Sequence, residues 1–176
     1  MPMTLRGLAV KKIALCLWLA LAMPSMALGL ERRDGAYYCT EKFSGGVQYN
    51  KTLQQWEGTS FVPGKGFVVK LSFRETVKNT LGTDEDAYDV TITEEGTSPT
   101  RFNGCVVLAR LPSEPQPPLI DEFSDLSCTD EAGLTVYKFN FRTRRFLKIY
   151  TAGYLFGDNN DDTPAISGGL CTKISQ

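Results

Sequence analysis

The sequence predicts an all-β fold, a small antiparallel β-barrel or β-sandwich held together by two disulfides. The first observation is that apolar and polar residues alternate, as in the run Phe67, Val69, Leu71 and Phe73, which is typical of a strand with one buried face. The second is that clusters of glycine, proline and asparagine separate these short runs as turns. The third is that four cysteines, an even number, follow the first 27 residues.

The predicted strands follow one another in short steps. Besides 67–73, alternating runs lie at 88–93 and 137–141, and an arginine-rich connection after the second predicts a hairpin that returns over 146–155. The remaining strands are predicted at 36–43, around 47–49, at 105–110, near 128 and at 167–174. Residues 51–56 are predicted to form one helical turn or a loop. No segment has a helical period over ten or more residues.

A closed barrel, lipocalin-like in architecture, is favoured over a sandwich. A disulfide between the first and last strands would place them side by side, and closure would remove the exposed edges of the sheet. The sandwich stays open as an alternative. The proline-rich segment 111–118 cannot lie inside a sheet, because proline lacks the backbone donor. It is predicted to be a long loop within one domain that spans residues 28–176.

The first 27 residues are predicted to be a cleaved signal peptide. Arg6, Lys11 and Lys12 precede an apolar run at 13–22, and Ser25-Met26-Ala27 supplies the small residues of a cleavage site. No later apolar run is long enough to span a membrane. The sequence therefore predicts a periplasmic or secreted protein with no transmembrane segment after cleavage.

Export allows the remaining cysteines to form disulfides. Of three possible connectivities we predict Cys105–Cys128, which closes the proline-rich loop, and Cys39–Cys171, which ties the first strand to the last. A cysteine metal site is disfavoured because the spacing is wrong and the sequence contains no histidine. Both bridges are expected to be structural.

The composition excludes several classes of function. Without histidine, the chain lacks the commonest general base and the imidazole of serine and cysteine hydrolases. It also contains no nucleophile elbow, phosphate-binding loop or dinucleotide fingerprint. Residues 28–176 carry 16 basic and 20 acidic side chains, a net charge of about −4, which disfavours nucleic acid as a partner. No cofactor is expected.

Basic side chains concentrate in the predicted hairpin around 142–148. Arg142, Arg144, Arg145 and Lys148 could bind an anionic lipid, a polysaccharide or an acidic protein. They could equally be a solvated device against aggregation, with the acidic runs at 84–86 and 121–122 as intramolecular partners.

Two neighbouring features are further candidates. Tyr150 and Tyr154 flank Gly153, and a glycine in a strand marks the close approach of a backbone or ligand, or else a bulge.

Asp158, Asn160 and Asp162 alternate as in a calcium loop. That match is partial, because Thr163 and Gly169 stand where the loop needs glycine and glutamate. A solvated turn is the expected structure, and the many aromatic residues are expected to fill the interior rather than line a cavity.

The mature sequence resembles a group of small exported bacterial proteins that have no assigned activity. The resemblance rests on Tyr37-Tyr38-Cys39, on Trp56 with the 67–73 strand, and on the closing block 145–174. It implies bacterial export and one β-rich domain, and it transfers no catalytic residue.

These observations together predict a non-enzymatic binding module of the bacterial envelope, whose partner is a small ligand or an envelope protein. The alternative is a protein–protein interaction module, such as an inhibitor or an assembly factor. A hydrolase that uses two carboxylates is the third reading, and it would require them to face each other across a cleft.

Overall fold

The computed structural model describes residues 32–79, 81–96, 104–107 and 117–175. The predicted signal peptide and residues 111–116 of the predicted loop lie outside these ranges. The described residues form ten strands: β1 (Gly35–Asn50), β2 (Gln55–Phe61), β3 (Phe67–Lys78), β4 (Asp84–Glu94), β5 (Gly104–Val106), β6 (Leu119–Ile120), β7 (Asp125–Asp130), β8 (Thr135–Asn140), β9 (Arg145–Tyr150) and β10 (Ala165–Ser175). One turn of 3-10 helix, Tyr154–Phe156, follows β9.

Eight of these strands close into an antiparallel barrel in the order β1-β3-β4-β5-β7-β8-β9-β10. Closure comes from β10, which pairs with β9 on one side and with β1 on the other. The barrel is therefore confirmed over the sandwich. Two strands lie off the ring: β2 pairs with the far half of β1, and the two-residue β6 pairs with β4.

The alternation in the sequence fills the barrel from inside. In β3, Phe67, Val69 and Leu71 point inward and are at most 2% exposed. The Phe67 ring packs edge-to-face against Phe146, with ring centroids 4.9 Å apart, and further aromatic rings of β8 surround it. Aromatic residues thus fill the middle of the barrel, as expected for eight strands.

Both predicted disulfides are present. Cys39–Cys171 joins β1 to β10 at directly paired positions, and Cys105–Cys128 joins β5 to β7. All four cysteines are buried and belong to the core cluster. The bridges therefore lie inside the barrel, and they indicate an oxidising compartment outside the cytoplasm.

Three element predictions were wrong in detail. Two strands were predicted before residue 50, but β1 runs unbroken through Gly45 and Gly46. A side chain at Gly46 would collide with the Pro164 carbonyl, so glycine here allows close approach instead of ending the strand. The predicted turn or loop at 51–56 gives way to β2 from Gln55 onward. The returning strand predicted at 146–155 ends at Tyr150.

Candidate functional site

A polar cavity of about 710 Å³ opens at one end of the barrel. We call it the cup. The inward-facing series of several strands ends there with a polar residue. Tyr37 and Cys39 continue to Glu41, Ile92 continues to Glu94, and Phe146 continues to Lys148. The polar residues that line the cup are Glu41, Ser44, Glu94, Asp130, Thr135, Tyr137, Lys148, Tyr150, Thr163 and Ser167.

The Glu41 carboxylate is fixed at the wall of the cup from two sides. The Gly64 backbone N–H donates to one oxygen at 2.7 Å, and the Ser167 hydroxyl donates to the other at 2.9 Å. Gly64 lies between β2 and β3, and Ser167 lies in β10. Two elements besides β1 itself, the β2–β3 connection and β10, therefore hold this carboxylate in place.

The one basic side chain among the described lining residues is Lys148, and it is already paired. Its ammonium lies 2.7 Å from the Glu94 carboxylate. The lysine side chain is 24% exposed, whereas that of Glu94 is 57% exposed. Since Lys148 points inward from β9, it belongs to the cup rather than to the basic hairpin tip in which the sequence analysis grouped it.

Tyr137 lies on the floor of the cup and is 8% exposed. Burial foremost, and then the negative charges of Glu94, Asp130 and Glu41, raise the pKa of its hydroxyl above the ordinary value. Among the described residues no hydrogen bond joins this hydroxyl to a protein group. The phenol therefore keeps its proton and faces the cavity with its bonding capacity unused.

Two other lining residues serve local structure. Asp130 ends β7, and its carboxylate accepts the Leu134 N–H at 2.8 Å, which fixes the turn into β8. Tyr150 stands opposite Thr135 on the neighbouring strand. Burial, together with the Asp162 carboxylate beside it, raises the pKa of the Tyr150 hydroxyl.

The structure separates the predicted basic cluster into two surfaces. Arg142 and Arg144 lie exposed in the β8–β9 turn and Arg145 lies exposed at the start of β9, at the end of the barrel opposite the cup. We call these three residues the basic tip. In the described ranges their side chains form no ion pair or hydrogen bond with the predicted acidic partners. Asp84 pairs with Lys78 at 2.7 Å instead, and the Asp121 carboxylate accepts backbone N–H groups of its own turn.

The Tyr154 side chain contacts the β1–β2 hairpin. Its ring lies 5.2 Å from that of Trp56, and Trp56 in turn packs 5.8 Å from Tyr49. Gly153 makes the fold of this segment possible, because its φ of 104° favours glycine and a side chain would collide with the Asp162 carbonyl. The glycine therefore marks the close approach of a backbone.

The three calcium candidates have other contacts. The Trp56 indole N–H donates to Asp158 at 3.0 Å, and the Asn160 amide exchanges two hydrogen bonds with the backbone of Tyr49. The third, Asp162, lies beside Tyr150. Within the described residues no group of three or more acidic or cysteine side chains is arranged to hold a metal ion.

Most cup residues were not among the sequence candidates; only Lys148 and Tyr150 were. The other cup residues could have been found from their position in the strand alternation. Glu41, Glu94 and Asp130 each stand two residues beyond a buried residue, so their side chains lie on the same inward face of the strand. A polar residue in that phase lies at a barrel mouth or in the core.

Comparison with known proteins adds no relative. No protein-family model, no curated protein and no solved structure matches the chain. In the part of the chain that the structure describes, no helix is both long and apolar enough to cross a membrane.

Proposed function

We propose that this protein is a binding module of the bacterial envelope, periplasmic or secreted, that holds a small molecule in the cup. The observation that carries the proposal is the change of lining along the barrel axis. The middle is packed with aromatic rings and disulfides, while the mouth opens into a cavity with converging polar groups. A concave cavity of several hundred Å³ in which polar groups converge has the size and shape of a small-molecule site.

The environment of the carboxylates supports binding rather than hydrolysis. Glu41 accepts two hydrogen bonds from the protein, Asp130 accepts one from a turn, and Glu94 pairs with Lys148. A two-carboxylate hydrolase needs one group to hold a transferable proton and the other to attack or to activate water. Acceptors committed to structural donors fit a fixed recognition surface better than that chemistry.

The proposal can be tested by nuclear magnetic resonance with a library of small fragments. We expect amide shift changes to cluster on residues that line the cup. A Ser44→Phe variant, which fills the cup, should abolish them. The matched Ser72→Phe variant, on the exposed outer face of β3, should leave them unchanged. Shift changes located elsewhere, or equal binding by both variants, would contradict a ligand site in the cup.

A second candidate function, binding of an acidic envelope protein, is supported by the basic tip. Three exposed arginines without intramolecular partners among the described residues form a patch of one sign, and such a patch steers association with an opposite charge. A double variant, Arg144→Glu with Arg145→Glu, should abolish capture of such a partner from the envelope fraction. If every interaction of the wild type survives the double variant, the tip is only solvated.

A further inference from the structure

We propose that the ligand of the cup is an organic amine, a cation whose N–H groups bind Glu41 and the Tyr137 hydroxyl. The inference rests on the proposed ligand-binding function and narrows it to one chemical class. Three features carry it: the charge of the lining, the fixed acceptor at Glu41, and the unused hydroxyl at the floor.

The charge of the cup is negative. The described lining residues include three carboxylates and one ammonium group, which gives a formal charge of −2. The Lys148 ammonium is 2.7 Å from Glu94, so its charge is offset locally. An anionic ligand would have to displace that ion pair and approach Glu41 as well. A cation meets attraction from the lining without breaking any contact.

Glu41 is an acceptor prepared in advance. Each of its oxygens receives one hydrogen bond, from Gly64 and from Ser167, and a carboxylate has about four acceptor positions in all. Two positions therefore remain for a ligand. Because the side chain is already ordered, binding costs little conformational entropy. Bonds from an ammonium to such a carboxylate are charge-assisted and stronger than neutral ones.

The Tyr137 hydroxyl points to a ligand independently of the charge. Tyr137 lines the cup and is only 8% exposed, and its hydroxyl has no hydrogen-bond partner among the described residues. Among the described residues, every side-chain nitrogen or oxygen that is fully buried has a hydrogen-bond partner. Since the Tyr137 oxygen has none, it is not fully buried and must be accessible from the cavity. A protonated phenol can accept an N–H from an amine. A bound amine would fill that position.

The carbon part of the ligand has a place as well. Ile92 lines the inner part of the cup, and Phe61 and Val62 lie on the wall beside Gly64. Val62 is 90% exposed, which places an apolar side chain at the rim. An amine with a short apolar arm therefore matches both the acceptors and the apolar part of the lining.

Calorimetry with 2-phenylethylamine and 2-phenylethanol tests the inference, because the two probes differ in the amine alone. We expect the oxidised protein to bind the amine at least about tenfold more tightly than the alcohol, as charge-assisted bonds provide. Glu41→Gln should weaken amine binding about tenfold, and Tyr137→Phe should weaken it severalfold. The control Glu122→Gln, an exposed carboxylate outside the cup, should change nothing.

The outcomes separate this inference from the proposed function. If the alcohol binds as tightly as the amine, or if Glu41→Gln binds the amine like the wild type, the amine inference is wrong and the cup remains a ligand site. If neither probe binds while neutral fragments still change the amide shifts of cup residues, the amine inference is wrong and the proposed ligand-binding function stands. If no fragment of any class occupies the cup, both fail. The two probes compared on the wild type give a result even where a variant does not fold.

Discussion

Removal of the Cys39–Cys171 bridge is expected to destabilise the protein more than removal of Cys105–Cys128. The bridges span sequence separations of 132 and 23 residues. In the chain-entropy model, the entropy that a disulfide removes from the unfolded chain is a constant plus a term that grows with the logarithm of that separation. This corresponds to about 5 kcal/mol for the long loop and about 3.4 kcal/mol for the short one. The predicted difference is therefore about 1.5 kcal/mol.

The comparison uses two double variants, Cys39→Ala with Cys171→Ala and Cys105→Ala with Cys128→Ala. All four cysteines are at most 4% exposed, so the cost of deleting sulfur from the core is similar in both, and the difference isolates the loop length. Urea unfolding followed by circular dichroism gives the two free energies. Equal losses, or a larger loss for the Cys105–Cys128 variant, would refute the argument from loop length.

Two further predictions concern the interior. Phe67→Ala should lower the free energy of unfolding by about 3–5 kcal/mol, because it removes the ring at the centre of the aromatic core, while Phe156→Ala, 72% exposed, should cost less than about 0.5 kcal/mol; similar losses for the two in urea unfolding would contradict the packing described. Because the pKa of Tyr137 is raised in the folded state, its protonated hydroxyl makes a full contribution to the free energy of unfolding below the unfolded-state pKa of about 10. That contribution is lost as the pH rises from there toward the folded-state pKa, since the unfolded chain releases the proton at lower pH than the folded one. Tyr137→Phe should flatten this fall in urea midpoints measured between pH 8 and 11.5, and Tyr88, whose pKa burial also raises, should account for part of what remains; an unchanged slope in the variant would contradict the assignment.

The barrel could be predicted because a strand with one buried face requires apolar and polar residues to alternate along the sequence. The disulfides could be predicted because an exported chain with an even number of cysteines is expected to pair them. The strand β2 could not. It pairs with β1 alone, and neither of its faces is fully buried, so Trp56 and Gly58 carry no periodic signal. Secondary structure that no core contact specifies leaves little trace in composition.

The candidate site was partly missed for a related reason. The basic cluster was grouped by closeness in sequence, but Arg145 and Lys148 are three positions apart in one strand and so point to opposite sides of the sheet. Sequence closeness therefore joined a solvent-facing residue to an inward-facing one. The cup also depends on which strands are neighbours: Glu41, Glu94 and Lys148 meet only because the ring closes through β10.

Because the ring closes where β10 pairs with β1, the barrel can be completed only after β10 has been synthesised. A protein appears from a ribosome or an export channel with its first residues leading, so Cys39 emerges long before Cys171. Until then, β1 lacks one neighbour and its thiol lacks a partner. A chain that stops short of β10 would display two open edges and one free thiol. The Cys39–Cys171 bridge can therefore form only after the last strand has emerged.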